Sequence, residues 1–175
     1  MNLELENGLS LSEFRRSDRE AIVEHLADKA IYDSTSRIPY PYSATDADGW
    51  FDQVERLTVQ HGQNLNWAIR DVGGRLIGGV GLETANLEKS HRAEIGYWLA
   101  RPFWGRGIMT TVVRSVCSHA FDNLRLAKLT AGVFDFNTAS ARVLEKCGFE
   151  EEGFLKWHYC KDGRFINARV FGRVS

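Results

Sequence analysis

The residues best suited to chemistry are Gly105, Arg106 and Gly107, a Gly-x-Gly turn between two segments of contrasting periodicity. Before it, residues 93–100 read as a strand. After it, Ile108, Met109, Val112, Val113, Val116, Cys117, Ala120 and Phe121 recur as adjacent pairs one turn apart, which is one apolar face of a helix. A helix opening directly from such a turn leaves backbone N–H groups without partners at the positive end of its dipole. An anion such as a phosphate is favoured there, and a Cβ at Gly105 or Gly107 would keep it off the backbone. Thr110 adds a hydroxyl donor. The alternative for these residues is a plain strand-to-helix turn.

The common nucleotide folds are poor fits. A Walker loop needs Gly, four residues, then Gly-Lys-Ser/Thr, and no such string occurs. A dinucleotide fingerprint needs Gly-x-Gly-x-x-Gly/Ala, and its third position is Thr110 here. No metal site is expected. Cys117, Cys147 and Cys160 lack metal-ligand spacing, and the histidines at 25, 61, 91, 119 and 158 are scattered. Cys117 and Cys147 fall on apolar helix faces and read as small core residues.

Length and composition exclude several classes. The 175 residues fit one domain, 1–175. With 43% hydrophobic residues, five Trp and ten Phe, the chain can bury a core, so it is not a disordered tail. Its 22 basic and 23 acidic residues leave no electrostatic footprint for nucleic acid or anionic lipid. No apolar run approaches the roughly 20 residues of a membrane span. The opening Met1-Asn2-Leu3-Glu4-Leu5-Glu6 lacks the layout of a signal peptide, which points to the cytoplasm.

The elements that must position the turn follow from periodicity and punctuation. Residues 8–14 alternate as a first strand. Ser17 or Asp18 caps a helix with Ala21, Ile22, His25, Leu26 and Ala30 inward, and the chain is irregular over 34–42. Ser43 or Thr45 begins a second helix, through 61, with Ala47, Trp50, Phe51, Val54 and Leu57 as its stripe. Residues 66–70 and 75–82 form a hairpin across Val72-Gly73-Gly74. Then come a strand at 92–100, a helix at 106–122, a strand at 127–133 and a short helix capped by Asn137 or Thr138 and stopped by Gly148. Two strands, 149–160 and 164–174, turn at Lys161-Asp162-Gly163.

Two stretches carry a family resemblance. Glu94-Ile95-Gly96-Tyr97-Trp98-Leu99, followed by Pro102-Phe103-Trp104-Gly105-Arg106-Gly107, resembles the acetyl-CoA-binding motif of the GNAT superfamily of N-acetyltransferases. Asn137-Thr138-Ala139-Ser140-Ala141-Arg142-Val143-Leu144-Glu145-Lys146-Cys147-Gly148-Phe149 resembles that superfamily's later motif. The detail is most similar to the RimJ/RimL branch, which acetylates N-terminal amines of ribosomal proteins, and the similarity extends through nearly the whole chain. The resemblance implies an α/β (α+β) GNAT-like fold, with a mixed, mostly antiparallel sheet of about seven strands flanked by helices. It implies acetyl transfer from acetyl-CoA to a primary amine, either a protein N-terminus or a small molecule. A non-catalytic acyl-CoA-binding module with the same fold is the alternative. Chains of this kind commonly form homodimers.

The resemblance also implies roles. The turn formed by Gly105, Arg106, Gly107, Ile108, Met109 and Thr110 holds the CoA pyrophosphate, with Arg106 a possible added charge. The family often has Gln or Arg three residues before the first Gly; here that residue is Pro102, with Arg101 one place earlier. Trp98, Leu99 and Ala100 pair through their backbone with the pantetheine arm as with an extra strand, a freed amide near Trp98 or Leu99 facing the thioester oxygen, and Gly96 fits a bulge, or else relieves crowding by Tyr97 and Trp98. Glu94 aligns with a strand glutamate that acts as general base in some relatives, with Glu83 a second candidate; an exposed surface carboxylate is the plainer reading. Protonation of the leaving thiolate points to Ser140 or a tyrosine: other branches use a Tyr after the later strand, where this chain has Phe134 and Phe136, which lack a hydroxyl, and Ser140 matches the serine of the RimL-like enzymes, its plainer reading being a first-turn residue bonded to local backbone. Asn137 caps its helix and bonds the pantetheine amide. Arg142 and Lys146 read as solvated. Tyr40, Tyr42, Trp157, His158 and Tyr159 are candidates for the acceptor walls, while Trp50 reads as core. The lack of an acidic cluster argues against a polyamine acceptor.

Overall fold

The computed structural model of the chain describes residues 3–84, 87 and 89–175. The strands are β1 (Leu3–Glu4), β2 (Ser10–Glu13), β3 (Asn66–Arg70), β4 (Leu76–Glu83), β5 (Arg92–Leu99), β6 (Lys128–Phe134), β7 (Glu150–Lys161) and β8 (Arg164–Val174). The helices are α1 (Arg19–Leu26), α2 (Lys29–Ser34), α3 (Ala44–His61), α4 (Ile108–Ser118) and α5 (Thr138–Lys146). The strands form one eight-stranded sheet in the order β1-β2-β3-β4-β5-β6-β8-β7. It is mostly antiparallel, with β5 and β6 parallel. The expected seven strands become eight because Leu3–Glu4 pairs with Ser10 and Leu11; two residues are too few to show an alternation. Met1 and Asn2, part of the N-terminal stretch read above, lie outside the described residues.

The chain divides into two compact units. The first holds Met1–Leu82 and Tyr97–Ile108. Its core gathers Ile22, Leu26, Ile31, Tyr42, Ala47, Phe51, Ala68 and Leu76, with Phe14, Trp50 and Trp98 packed against them. Trp50 is half-buried, meets Phe14 edge-on at 4.6 Å and packs against this core. Helix α3 starts where its capping box dictates: the Ser43 hydroxyl accepts from the Asp46 N–H at 3.2 Å, and the Asp46 carboxylate accepts from the Ser43 N–H at 2.8 Å. The single first helix expected to run through Ala30 is instead two. Asp28 leaves the helical conformation and accepts from the Ala30 N–H at 2.9 Å, which starts α2 anew. Asp18 precedes α1, yet its side chain makes no cap. It turns inward to Arg70, which also donates to the Ser12 hydroxyl at 2.6 Å.

The second unit holds Glu83–Gly96 and Met109–Ser175. Val112, Val113, Val116 and Cys117 form the buried face of α4, as their spacing predicts. Helix α5 ends in a Schellman motif: the Gly148 N–H reaches the Glu145 carbonyl and the Phe149 N–H reaches the Leu144 carbonyl, each at 3.1 Å. The β7–β8 hairpin turns on Asp162 and Gly163, both with positive φ, as a tight antiparallel turn requires. Among the described residues, no helix is long and apolar enough to cross a membrane, and no group of three His, Cys, Asp or Glu side chains could hold a metal ion.

Candidate active site

The loop before α4 is built by two left-handed glycines. Gly105 has φ of 73° and Gly107 of 77°, while Arg106 between them does not share that sign. Alternation of this kind turns successive N–H groups toward a common concavity, which is an anion-binding nest. It also explains why α4 begins at Ile108 rather than at 106 as expected: a residue with positive φ cannot be a helical residue. Where a Cβ would be added at either glycine, no atom beyond the chain neighbours lies within 4 Å. Packing therefore does not require glycine here; the backbone hand and the open space above it do.

The approach to this loop is held by a short turn and hydrogen bonds. Residues Arg101–Phe103 make one 3-10 turn with Pro102 at its start. The Trp104 indole N–H donates to the Leu99 carbonyl at 2.6 Å, and the Ala100 N–H donates to the Ile77 carbonyl at 2.8 Å. Those two main-chain groups of the predicted pantetheine strand are thus engaged within the protein. Arg106 is exposed and its guanidinium lies 5.5 Å from the Phe103 ring centre, over the loop. Trp98 is half-buried and lies against α1, its ring 6.4 Å from that of His25.

In the second unit, Glu94 is half-buried on β5 and pairs in register with Thr130 of β6. The β5–β6 ladder comprises Arg92↔Lys128, Ala93↔Leu129 and Glu94↔Thr130. Beyond it, Ile95 and Gly96 run on without ladder partners on β6. At the Gly96 Cβ position no atom beyond the chain neighbours lies within 4 Å, Trp98 included. Met109 is buried, and the Thr110 carbonyl accepts from the Cys147 thiol at 3.4 Å. Asn137 caps α5: its side-chain oxygen accepts from the Ser140 N–H at 3.1 Å, which places half-buried Ser140 in the first helical turn. Burial pushes the Cys117 thiol up to about 11 and also raises Cys147, so neither is a ready nucleophile.

The aromatic candidates for the acceptor walls separate in exposure. Tyr40 is exposed and packs on Tyr32 at 5.2 Å, whereas Tyr42 is buried in the first unit's core. Trp157 is 72% exposed and stacks on Phe165 at 5.4 Å, so the hairpin keeps a large apolar surface in water. Two features escaped the sequence reading, the Trp104 indole bond and the placement of Tyr159 against β6. The only available signals were a Trp beside the glycines and a Gly inside a strand.

Residues 9–150 match the family model described as an acetyltransferase (GNAT) domain. The chain is 36% identical over 125 residues to an uncharacterised N-acetyltransferase, YoaA, of Bacillus subtilis, covering 70% of each protein. It is 25% identical to the L-amino acid N-acetyltransferase AaaT of Escherichia coli, over 90% of this chain and 93% of that one. The structure of Mycobacterium smegmatis RimJ in complex with CoA-disulfide superposes with a TM-score of 0.86 at 25% identity, covering all of this chain (100%) and 86% of that one. The chain belongs to the GNAT family: it is an acetyltransferase, and its acyl donor is acetyl-CoA.

Proposed function

We propose that residues 1–175 act as one N-acetyltransferase domain of the RimJ/RimL type, acetylating a primary amine at a protein N-terminus or on a small molecule. The observation that carries the site is the pair of left-handed glycines at the mouth of α4, with open space where a Cβ would stand. That cradle fits a diphosphate, which takes main-chain N–H donors at close range. Gly105, Arg106, Gly107, Ile108, Met109 and Thr110 hold it, with the Arg106 guanidinium as added charge. Trp98, Leu99 and Ala100 line the pantetheine arm. The Leu99 carbonyl and Ala100 N–H set the strand end through their own hydrogen bonds.

Acetyl-CoA supplies an activated acyl group; the chain's residues orient it and manage protons. Asn137 keeps its oxygen on the helix cap and offers its amide nitrogen to the arm. Ser140, fixed by that cap, hydrogen-bonds the sulfur region. Glu94 draws a proton from the attacking amine, which needs its lone pair. Tyr40 and the Trp157–Phe165 stack form acceptor-facing surfaces. The resemblance to RimJ supports a protein N-terminus, and the resemblance to AaaT supports a small amine. The test is thiol release from acetyl-CoA against a panel of N-terminal peptides, amino acids and small amines. Release that depends on one of these amines is the expected result; none above background would overturn the reading.

A further inference from the structure

Helix α5 is gripped at its C-terminal end. The last carbonyls of a helix have no partner within it and carry the negative end of its dipole. Two guanidinium groups meet those of α5. Arg114 Nη2 of α4 donates to the Lys146 carbonyl at 3.0 Å, and Arg173 Nη1 of β8 donates to the Cys147 carbonyl at 2.6 Å. The buried Cys147 thiol donates in turn to the Thr110 carbonyl at 3.4 Å. All of these residues belong to the second unit.

The two contacts between α4 and α5 form a seam. Thr110 and Arg114 are four residues apart, so they stand one above the other on a single side of α4. Opposite them are Lys146 and Cys147, neighbours at the end of α5. Thr110 lies in the first turn of α4. At the other end of α5, the Asn137 side-chain oxygen accepts from the Ser140 N–H and so sets that helix's first turn. Buried Ala141 and Leu144 press α5 onto the core. Apolar packing of this kind is non-directional and does not choose where a helix sits along its own axis. Hydrogen bonds are directional, so the seam does. With only nine residues between its ends, α5 carries that choice to Asn137 and Ser140.

We infer that Arg114 is a positioning residue: it fixes the spacing between the first turns of α4 and α5, so that one coenzyme spans both. This rests on the reading above, in which Thr110 takes the diphosphate while Asn137 and Ser140 take the arm. Contacts at two ends of one molecule reinforce each other only where the distance between them matches that molecule. The role of Arg114 is therefore felt by the linked coenzyme and not by its nucleotide half alone. A residue that merely stabilised the fold would act on both alike, or on neither.

The test compares CoA with phospho-ADP, its nucleotide half, by calorimetry. Arg114→Met removes the donor and keeps a long side chain of good helix propensity. It should weaken CoA binding about tenfold and change phospho-ADP binding by less than about twofold. Arg114→Lys keeps a cation that can donate to the Lys146 carbonyl, and it should recover most of the lost affinity. Equal CoA binding by the parent and Arg114→Met would overturn the assignment. So would equal weakening of CoA and phospho-ADP, or an Arg114→Lys variant no better than Arg114→Met. Failure of the parent to bind CoA or phospho-ADP overturns the coenzyme site itself, and this inference with it.

Discussion

The Arg70 guanidinium closes on the Asp18 carboxylate through two hydrogen bonds, 2.9 Å from Nη1 and 2.8 Å from Nη2, with side chains only 6% and 10% exposed. Burial alone would raise the Asp18 pKa, but the Arg70 hydrogen bonds and the Arg15 N–H outweigh it and hold the carboxyl below its ordinary value. The pair ties the turn before α1 to β3, which fixes α1 against the first unit's core.

Asp18→Asn should cost about 3 kcal/mol at neutral pH, because it leaves a buried guanidinium without its counter-charge. The pH dependence has a definite sign. A depressed carboxyl contributes stability that is fully present above its unfolded value of about 3.9 and is lost as pH falls through its folded value. Denaturant unfolding from neutral to strongly acid pH should show a shallower acid loss in Asp18→Asn than in the parent.

Gly105→Val and Gly107→Val should separate folding from binding. Each forces a branched residue to positive φ at a cost of roughly 1–2 kcal/mol, with no clash beyond the chain neighbours. A modest drop in melting temperature is therefore expected. Calorimetry should show CoA binding weakened by at least about tenfold, which is about 1.4 kcal/mol.

Asn137 serves a cap and, in the proposal, a ligand, and two substitutions distinguish these roles. Asn137→Ala should lose about 1 kcal/mol of stability along with CoA affinity. Asn137→Asp keeps the capping oxygen and removes the amide donor, so stability should hold while CoA affinity falls. Ser140→Ala should lower turnover more than CoA affinity, measured by steady-state kinetics beside calorimetry.

Thiol titration should sort the cysteines by environment. Cys117 and Cys147 are buried and their thiols are held protonated, whereas Cys160 is exposed on β7. At mildly alkaline pH one equivalent should react promptly in the native protein, and the other two only after denaturant is added.

Much of the architecture was legible in the amino-acid order because it rests on local physics. The Ser43 capping box, the apolar face of α4, the Gly105–Gly107 loop and the stop at Gly148 each depend on residues within a few positions of one another. Capping, periodicity and backbone hand need no knowledge of the rest of the chain. The short strand β1, the restart of the helix at Asp28 and the inward turn of Asp18 were not legible. For Asp18 the reason is plain: a capping aspartate and an aspartate buried against Arg70, 52 residues away, look alike in sequence.

For the site, residue types and spacing marked the Gly105–Gly107 loop, and the family resemblance named Glu94, Asn137 and Ser140 as candidates. Only the tertiary structure decided that Glu94 stands where the β5–β6 ladder ends, that Trp104 closes over Leu99, and that Tyr159 lies above Gly132. Those relations depend on register across strands and on a bulge in β7. A register is chosen by the sum of many distant contacts, so no short stretch of sequence carries it.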